Sequence, residues 1–209
     1  MPDAHAALPR LSPGLADLGE PLVRPWQGAA DFSTSFAEHS LTRVDLAAID
    51  CPEDVVAAES LQGYLATGRW PEQSWPVSLD YAGHQFGRFN AALGDGRVVQ
   101  LGEFSTGDTT LEVGLKGIGR TALASRGDGW AALGECETEF DTYRALDALG
   151  VPTARGVMVI RGARAVHRRG RLEPVGLLCR VAPTFVRFGC FELHYRLGRY
   201  DALQTLCDH

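Results

Sequence analysis

Apolar and polar residues alternate along Leu111-Glu112-Val113-Gly114-Leu115-Lys116. A period of two predicts a strand with Leu111, Val113 and Leu115 on one face and Glu112 and Lys116 on the other. Twenty residues on, the period lengthens. Leu133, Cys136, Phe140, Tyr143 and Leu146 recur at helical spacing, and Gly150 with Pro152 behind it is a stop signal. The pattern predicts a helix from Asp128 or Trp130 to Leu149. Glu139 borders its apolar stripe, so its carboxylate can turn towards the sheet rather than into water.

The remaining segments predict mostly short strands. Residues 77–81, 83–87 and 88–93 lead to Gly94-Asp95-Gly96, read as the tip of a hairpin whose return strand is 97–101. Further strands are expected at 156–160, 165–168 and 175–181, and a helix at 201–207. Before them, residues 1–30 are rich in Pro, Gly and Ala and read as an irregular arm. A helix is expected over 45–67 and a loop over 68–76. The resulting class is α+β, an antiparallel sheet with a helix packed across it. Two parts are expected: an arm and helix over 1–75 and the sheet-bearing lobe over 76–209.

Composition narrows the picture. Of 209 residues 45% are hydrophobic and 22% charged, the balance of a globular protein with a real core, and the 24 glycines fit many tight turns. The net charge of −6 is uneven, with ten arginines in 151–199 against only Glu173 and Glu192. A basic segment in an acidic chain suits either a local anionic ligand or a solvated arginine face, and speaks against general nucleic-acid binding. Steep salt dependence of RNA binding would mark a polyanion surface instead. Five cysteines without a Cys-x-x-Cys pair, and no signal peptide or spanning segment at the start, point to free thiols and a cytoplasmic protein with no membrane role.

Lys116 is the only lysine, the other nineteen basic residues being arginine. A compact ammonium on a thin stem can reach one phosphate oxygen where a planar guanidinium does not fit. A solitary surface lysine would look the same in sequence. Glycines at a turn, a strand bearing one Lys and a helix bearing a Glu form a recurrent phosphate-binding order, in which the Glu fixes the Lys by an ion pair. Arg180 and Arg187, seven apart around Val181-Ala182-Pro183, could add guanidinium forks. His84, His167 and His194 lack metal-ligand spacing. There is no Gly-x-Ser-x-Gly elbow, Walker lysine loop or His-Glu-x-x-His pair.

These motifs together resemble the selenoprotein O family. The resemblance is carried by Tyr81-Ala82-Gly83-His84-Gln85-Phe86-Gly87, Leu93-Gly94-Asp95-Gly96-Arg97, Leu101-Gly102-Glu103, Leu115-Lys116-Gly117-Ile118-Gly119, Ser125-Arg126-Gly127-Asp128-Gly129, Ala148-Leu149-Gly150-Val151-Pro152-Thr153 and Arg180-Val181-Ala182-Pro183 with Val186-Arg187-Phe188-Gly189. It covers roughly 76–209, while 1–60 diverge. It implies a protein-kinase-like small lobe that binds ATP in a flipped orientation and transfers AMP to Ser, Thr or Tyr hydroxyls of proteins. The implied nucleotide contacts are Gly94, Gly96, Arg97, Lys116, Asp128, Gly129, Arg180 and Arg187, with Glu139 as partner of Lys116. Mg²⁺ (or Mn²⁺) is implied for the complete enzyme. Its ligands and the general base belong to a large lobe that this chain does not include, so an inactive, pseudokinase-like nucleotide-binding fragment is the alternative. The face that would meet that lobe is an expected site of association. One departure stands out: Gly134-Glu135-Cys136-Glu137-Thr138 makes the helix start more acidic than the family pattern.

Overall fold

A computed structural model of the chain describes residues 11–28, 32–36, 38–45, 75–106 and 108–209. The elements in chain order are β1 (Val23–Pro25), α1 (Phe32–Ser35), β2 (Ser40–Val44), β3 (Val77–Leu79), β4 (Gly83–Gln85), β5 (Arg88–Asn90), β6 (Val98–Thr106), β7 (Thr109–Lys116), β8 (Ala131–Ala132), α2 (Leu133–Ala148), β9 (Arg155–Arg168), β10 (Arg171–Ala182), α3 (Phe188–Arg196) and α4 (Tyr200–Asp208). A short 3-10 turn, Gly14–Leu18, precedes β1. The large sheet runs β1-β3-β6-β7-β10-β9-β2, with β8 paired to β10. Its neighbours are all antiparallel. The chain is mixed α and β, as its two sequence periods implied.

The sheet is covered on both faces. Val99, Leu101, Val113, Leu115, Leu177, Cys179 and Val181 join Trp26, Phe32, Phe36 and Trp130 in one core cluster. Cys136 and Phe140 of α2 pack with Val159 and Leu178 in another. A fully buried Phe or Leu contributes about 1.5–3 kcal/mol. The stripe read at helical spacing therefore faces the strands, with Glu139 half-buried beside it. The helix ends as its sequence foretells: Gly150 adopts φ 72°, its N–H donates to Asp147 O and that of Val151 to Leu146 O, the paired bonds of a Schellman stop.

Several expectations need correction. Gly94–Arg97 form a turn, but the strands it joins are not partners: β5 pairs with β4 in a separate ribbon, and β3 lies beside β6. The hairpin reading fails because the backbone bonds of the turn go back to the earlier chain, Gly94 N–H to Tyr81 O and Asp95 N–H to Leu79 O. Strands expected at 156–160 and 165–168 are one, β9, whose Gly162 leaves room for Ser35 O and the Val175 side chain. Ala131 and Ala132 add a short strand before α2, so the helix begins later than expected. The helix α3 was not foreseen. Gly189 lowers its propensity yet is demanded there, since a Cβ would lie 1.9 Å from Ala82 O.

The expected irregular arm is partly built into the sheet: β1 forms one of its ends, and Leu15, Leu22 and Trp26 are buried, while β2, beyond the arm, forms the other end. The helix expected over 45–67 and most of the loop to 76 lie outside the described residues. Cys136, Cys190 and Cys207 are free thiols. No helix among the described residues is long and apolar enough to cross a membrane.

Candidate functional site

Register brings the candidate residues together. Lys116, the last residue of β7, lies between Val98 of β6 and Leu178 of β10. Two residues back, Gln100, Gly114 and Arg180 sit side by side across the same three strands. Gly114 is required here, because a Cβ would lie 2.5 Å from Gln100 Oε1 and 3.2 Å from the Phe185 ring. Its missing side chain leaves space above the sheet for the buried Gln100 and the Phe185 ring.

Glu139, presented by α2, gathers the cations. Its Oε2 accepts a hydrogen bond from Lys116 Nζ, and its Oε1 accepts from Tyr143 Oη at 2.6 Å and from Arg180 Nη1 at 3.1 Å. Arg180 also donates to Tyr143 Oη at 3.0 Å and stands 5.0 Å over the Phe185 ring. Only 8% of Arg180 is exposed, and its Nε has no hydrogen-bond partner among the described residues. Burial works to raise the Glu139 pKa, but the hydrogen bonds from Lys116 and Tyr143 and the nearby positive charges outweigh it, and the carboxyl is held below its ordinary value.

In front of this cluster opens a cleft of about 620 Å³. Gly94, Gly96, Arg97, Lys116, Asp128, Gly129, Arg180 and Arg187 all line it, so the structure places every one of these candidates around one space. Glu139 stands behind Lys116 rather than on the wall. The glycines have local reasons. Gly94 and Gly129 adopt φ 44° and 76°, and a Cβ on Gly129 would lie 2.1 Å from the Gly119 carbonyl carbon. A Cβ on Gly96 would press on Ala124 at 3.1 Å. The two loops of the cleft are thus glycine-packed against each other. Arg120 ties down the second by donating to Gly127 O and, at 2.7 Å, to Ala124 O.

Residues not singled out from sequence complete the walls. Arg168 grips Asp128 with both nitrogens, at 2.7 and 3.1 Å, and donates to Trp130 O at 2.8 Å. Burial would raise Asp128, but these bonds, with Arg168 first among them, lower its pKa. Asp95 lies beneath the glycine turn, 1% exposed, facing Arg187 Nη2 at 3.4 Å. Glu112, also buried, accepts from Phe185 N–H and from Thr184 Oγ1 at 3.1 Å, anchoring the segment that leads to Arg187. The signals were faint: one arginine among many, and an acid inside a turn motif, where exposure is the usual case.

Six cations line the cleft (Arg97, Lys116, Arg126, Arg168, Arg180 and Arg187) against two carboxylates, Asp95 and Asp128. Arg97 is engaged by Glu135 at 3.1 Å, which places the acidic start of α2 at the rim. Arg126 has no ion-pair partner among the described residues. Such a space suits an anion of several charges, met by one ammonium, guanidinium forks and turn N–H groups. It does not fit a divalent metal ion held by protein ligands, because both carboxylates are committed to arginines. No group of three or more His, Cys, Asp or Glu converges among the described residues either.

The sequence profile of the family described as "Protein adenylyltransferase SelO" matches residues 34–209. A protein nucleotidyltransferase YdiU of Teredinibacter turnerae is 45% identical over 153 residues, 72% of this chain and 31% of that protein. Its namesake in Paraburkholderia xenovorans is 44% identical over 156 residues, 75% of this chain and 30% of its own. The one from Rhodococcus jostii is 36% identical over 208 residues, 98% of this chain and 39% of its own. The chain spans about a third of the length of these curated relatives. With nearly all of its described sheet inside the matched range, the chain belongs to the protein adenylyltransferase SelO family.

Proposed function

We propose that this chain is the nucleotide-holding lobe, kinase-like in architecture, of an enzyme that transfers AMP from ATP to Ser, Thr or Tyr hydroxyls of proteins. The observation that carries the reading is the Lys116–Glu139 ion pair at the wall of an arginine-lined cleft. A lysine strand, a helix with the paired glutamate and three further antiparallel strands, in the spatial order β6-β7-β10-β9, support the kinase-like reading.

In this reading Lys116 neutralises a phosphate oxygen, its direction set by Glu139, which Tyr143 and Arg180 hold in turn. Arg180, Arg187 and Arg97 face the remaining phosphate charge, and the turn at Gly94 and Gly96 lets backbone approach it. Asp128 and Gly129 suit the other end of the nucleotide, since a carboxylate repels phosphate and accepts from amino or hydroxyl groups. During transfer the acceptor hydroxyl oxygen bonds to the α-phosphorus, the bond from that phosphorus to the oxygen bridging to the β-phosphate breaks, and pyrophosphate leaves. The cleft cations stabilise the charge gathering on that leaving group. The hydroxyl proton goes to a group outside this cleft, because Asp95 and Asp128 are both taken by arginines.

Titration calorimetry on the purified chain tests the first half: ATP binds, and Lys116→Ala weakens it by about tenfold or more, about 1.4 kcal/mol. The full-length protein with Mg²⁺ tests the second half. Label from α-labelled ATP should appear on protein hydroxyls, and label from γ-labelled ATP alone would show phosphoryl transfer instead. The committed state of both cleft carboxylates favours a second reading, nucleotide binding without turnover. It predicts ATP affinity with no protein labelled from either position.

A further inference from the structure

The glycine turn carries a charged residue in an unusual place. Asp95 is buried from every side: its N–H donates to Leu79 O at 2.9 Å, and its own O accepts from Thr121 Oγ1 at 2.6 Å. Its Oδ2 accepts from Leu79 N–H at 3.3 Å and from Gln100 Nε2 at 3.4 Å. That leaves Oδ1, which faces Arg187 Nη2 at 3.4 Å. The same guanidinium lies over the Tyr81 ring, 4.4 Å from its centre. Arg187 is therefore gripped twice, by a carboxylate that cannot turn and by an aromatic face.

Arg187 also lines the cleft, together with Arg180 and Lys116. Burying a carboxylate costs free energy that a packed apolar side chain would not. Burial does push the Asp95 carboxyl up, and Arg187 and then Arg180 work against that push. A turn needing only shape would be served as well by an uncharged residue. The charge has a task beyond the turn.

We propose that Asp95 is a positioning residue that sets the direction of Arg187 and, through it, shapes the cleft end that receives the phosphates of a nucleoside triphosphate. The proposal rests on the nucleotide reading of the cleft. Asp95 itself does not touch the ligand. Its negative charge is neutralised by the arginine it holds, so fixing the fork outweighs any repulsion of phosphate.

Calorimetry with ATP on the wild-type chain, Asp95→Asn, Arg187→Ala and the double variant tests this, with thermal unfolding to confirm that each is folded. Each single change should weaken ATP binding by about tenfold, with little further loss in the double variant. The losses from Asp95→Asn and Lys116→Ala should multiply, because they act on separate cations. Unchanged or tighter binding by Asp95→Asn, or a double variant whose losses multiply, overturns the proposal. Arg187→Lys gives an answer even if Asp95→Asn does not fold. It keeps the charge without the planar fork, and wild-type affinity there would show that direction does not matter. No ATP binding by the wild-type chain would instead sink the nucleotide reading, and this proposal with it. Weakening by Lys116→Ala and Arg187→Ala with none by Asp95→Asn would sink this proposal alone.

Discussion

Glu139 serves three donors at once, so its removal would leave Lys116 and Arg180 facing each other without a counter-charge. Glu139→Ala should destabilise the fold by about 2–4 kcal/mol, below the loss for a wholly buried pair because the site is partly open. Its lowered pKa gives the effect a direction in pH. The stabilisation is full above the unfolded carboxyl value near 4.5 and is lost as pH falls through the lower folded value. Denaturant unfolding of wild type and Glu139→Gln should therefore differ most at neutral pH and converge well below pH ~4. A gap that widened on acidification would contradict this account. The glycines make a second residue-scale test. Gly127 and Gly129 both have positive φ, but only Gly129 lacks room for a Cβ. Gly127→Ala should cost about 1–2 kcal/mol and Gly129→Ala clearly more, read from urea midpoints.

At the scale of elements, α2 and α3 show how far local pattern reaches. The stripe, stop signal and half-buried Glu139 of α2 were legible because they follow from one helix period and one sheet beneath it. Phe140 is its anchor, and Phe140→Ala should cost about 3–5 kcal/mol in thermal or urea unfolding. Nothing local marks α3, whose Gly189 is explained only by the Ala82 carbonyl lying against it. Gly189→Ala should then disturb the seat of Arg187 and weaken the fold by more than about 2 kcal/mol, far beyond the gain in helix propensity. Urea unfolding of that variant is the check; a neutral or stabilising result would mean the contact is not as drawn. The failed hairpin has a similar origin. Gly-Asp-Gly carries turn chemistry, but the partners of its backbone groups lie earlier in the chain.

For the whole molecule, the six cleft cations imply that a bound polyanion should stabilise the folded state. At a ligand concentration about 100 times Kd the gain is about 2.7 kcal/mol, which raises Tm by several degrees in a chain of this size. Differential scanning with ATP checks this, and Lys116→Ala should lose about half of the shift or more. A shift that ATP and sulfate gave equally would mark a general anion surface.

The sequence by itself determined the strand bearing the lone lysine, the helix behind it, the mixed α and β character and the family resemblance, since each needs only a period, a rare residue or a run of motifs. Tertiary structure alone decided which cations share a space and what holds them. Arg168 reaches Asp128 through the unbroken run of β9, and Asp95 is buried because Leu79, Gln100 and Thr121 close over it. Charge placement in a cleft depends on strand register and on contacts between distant segments, and a linear pattern of residue types carries neither.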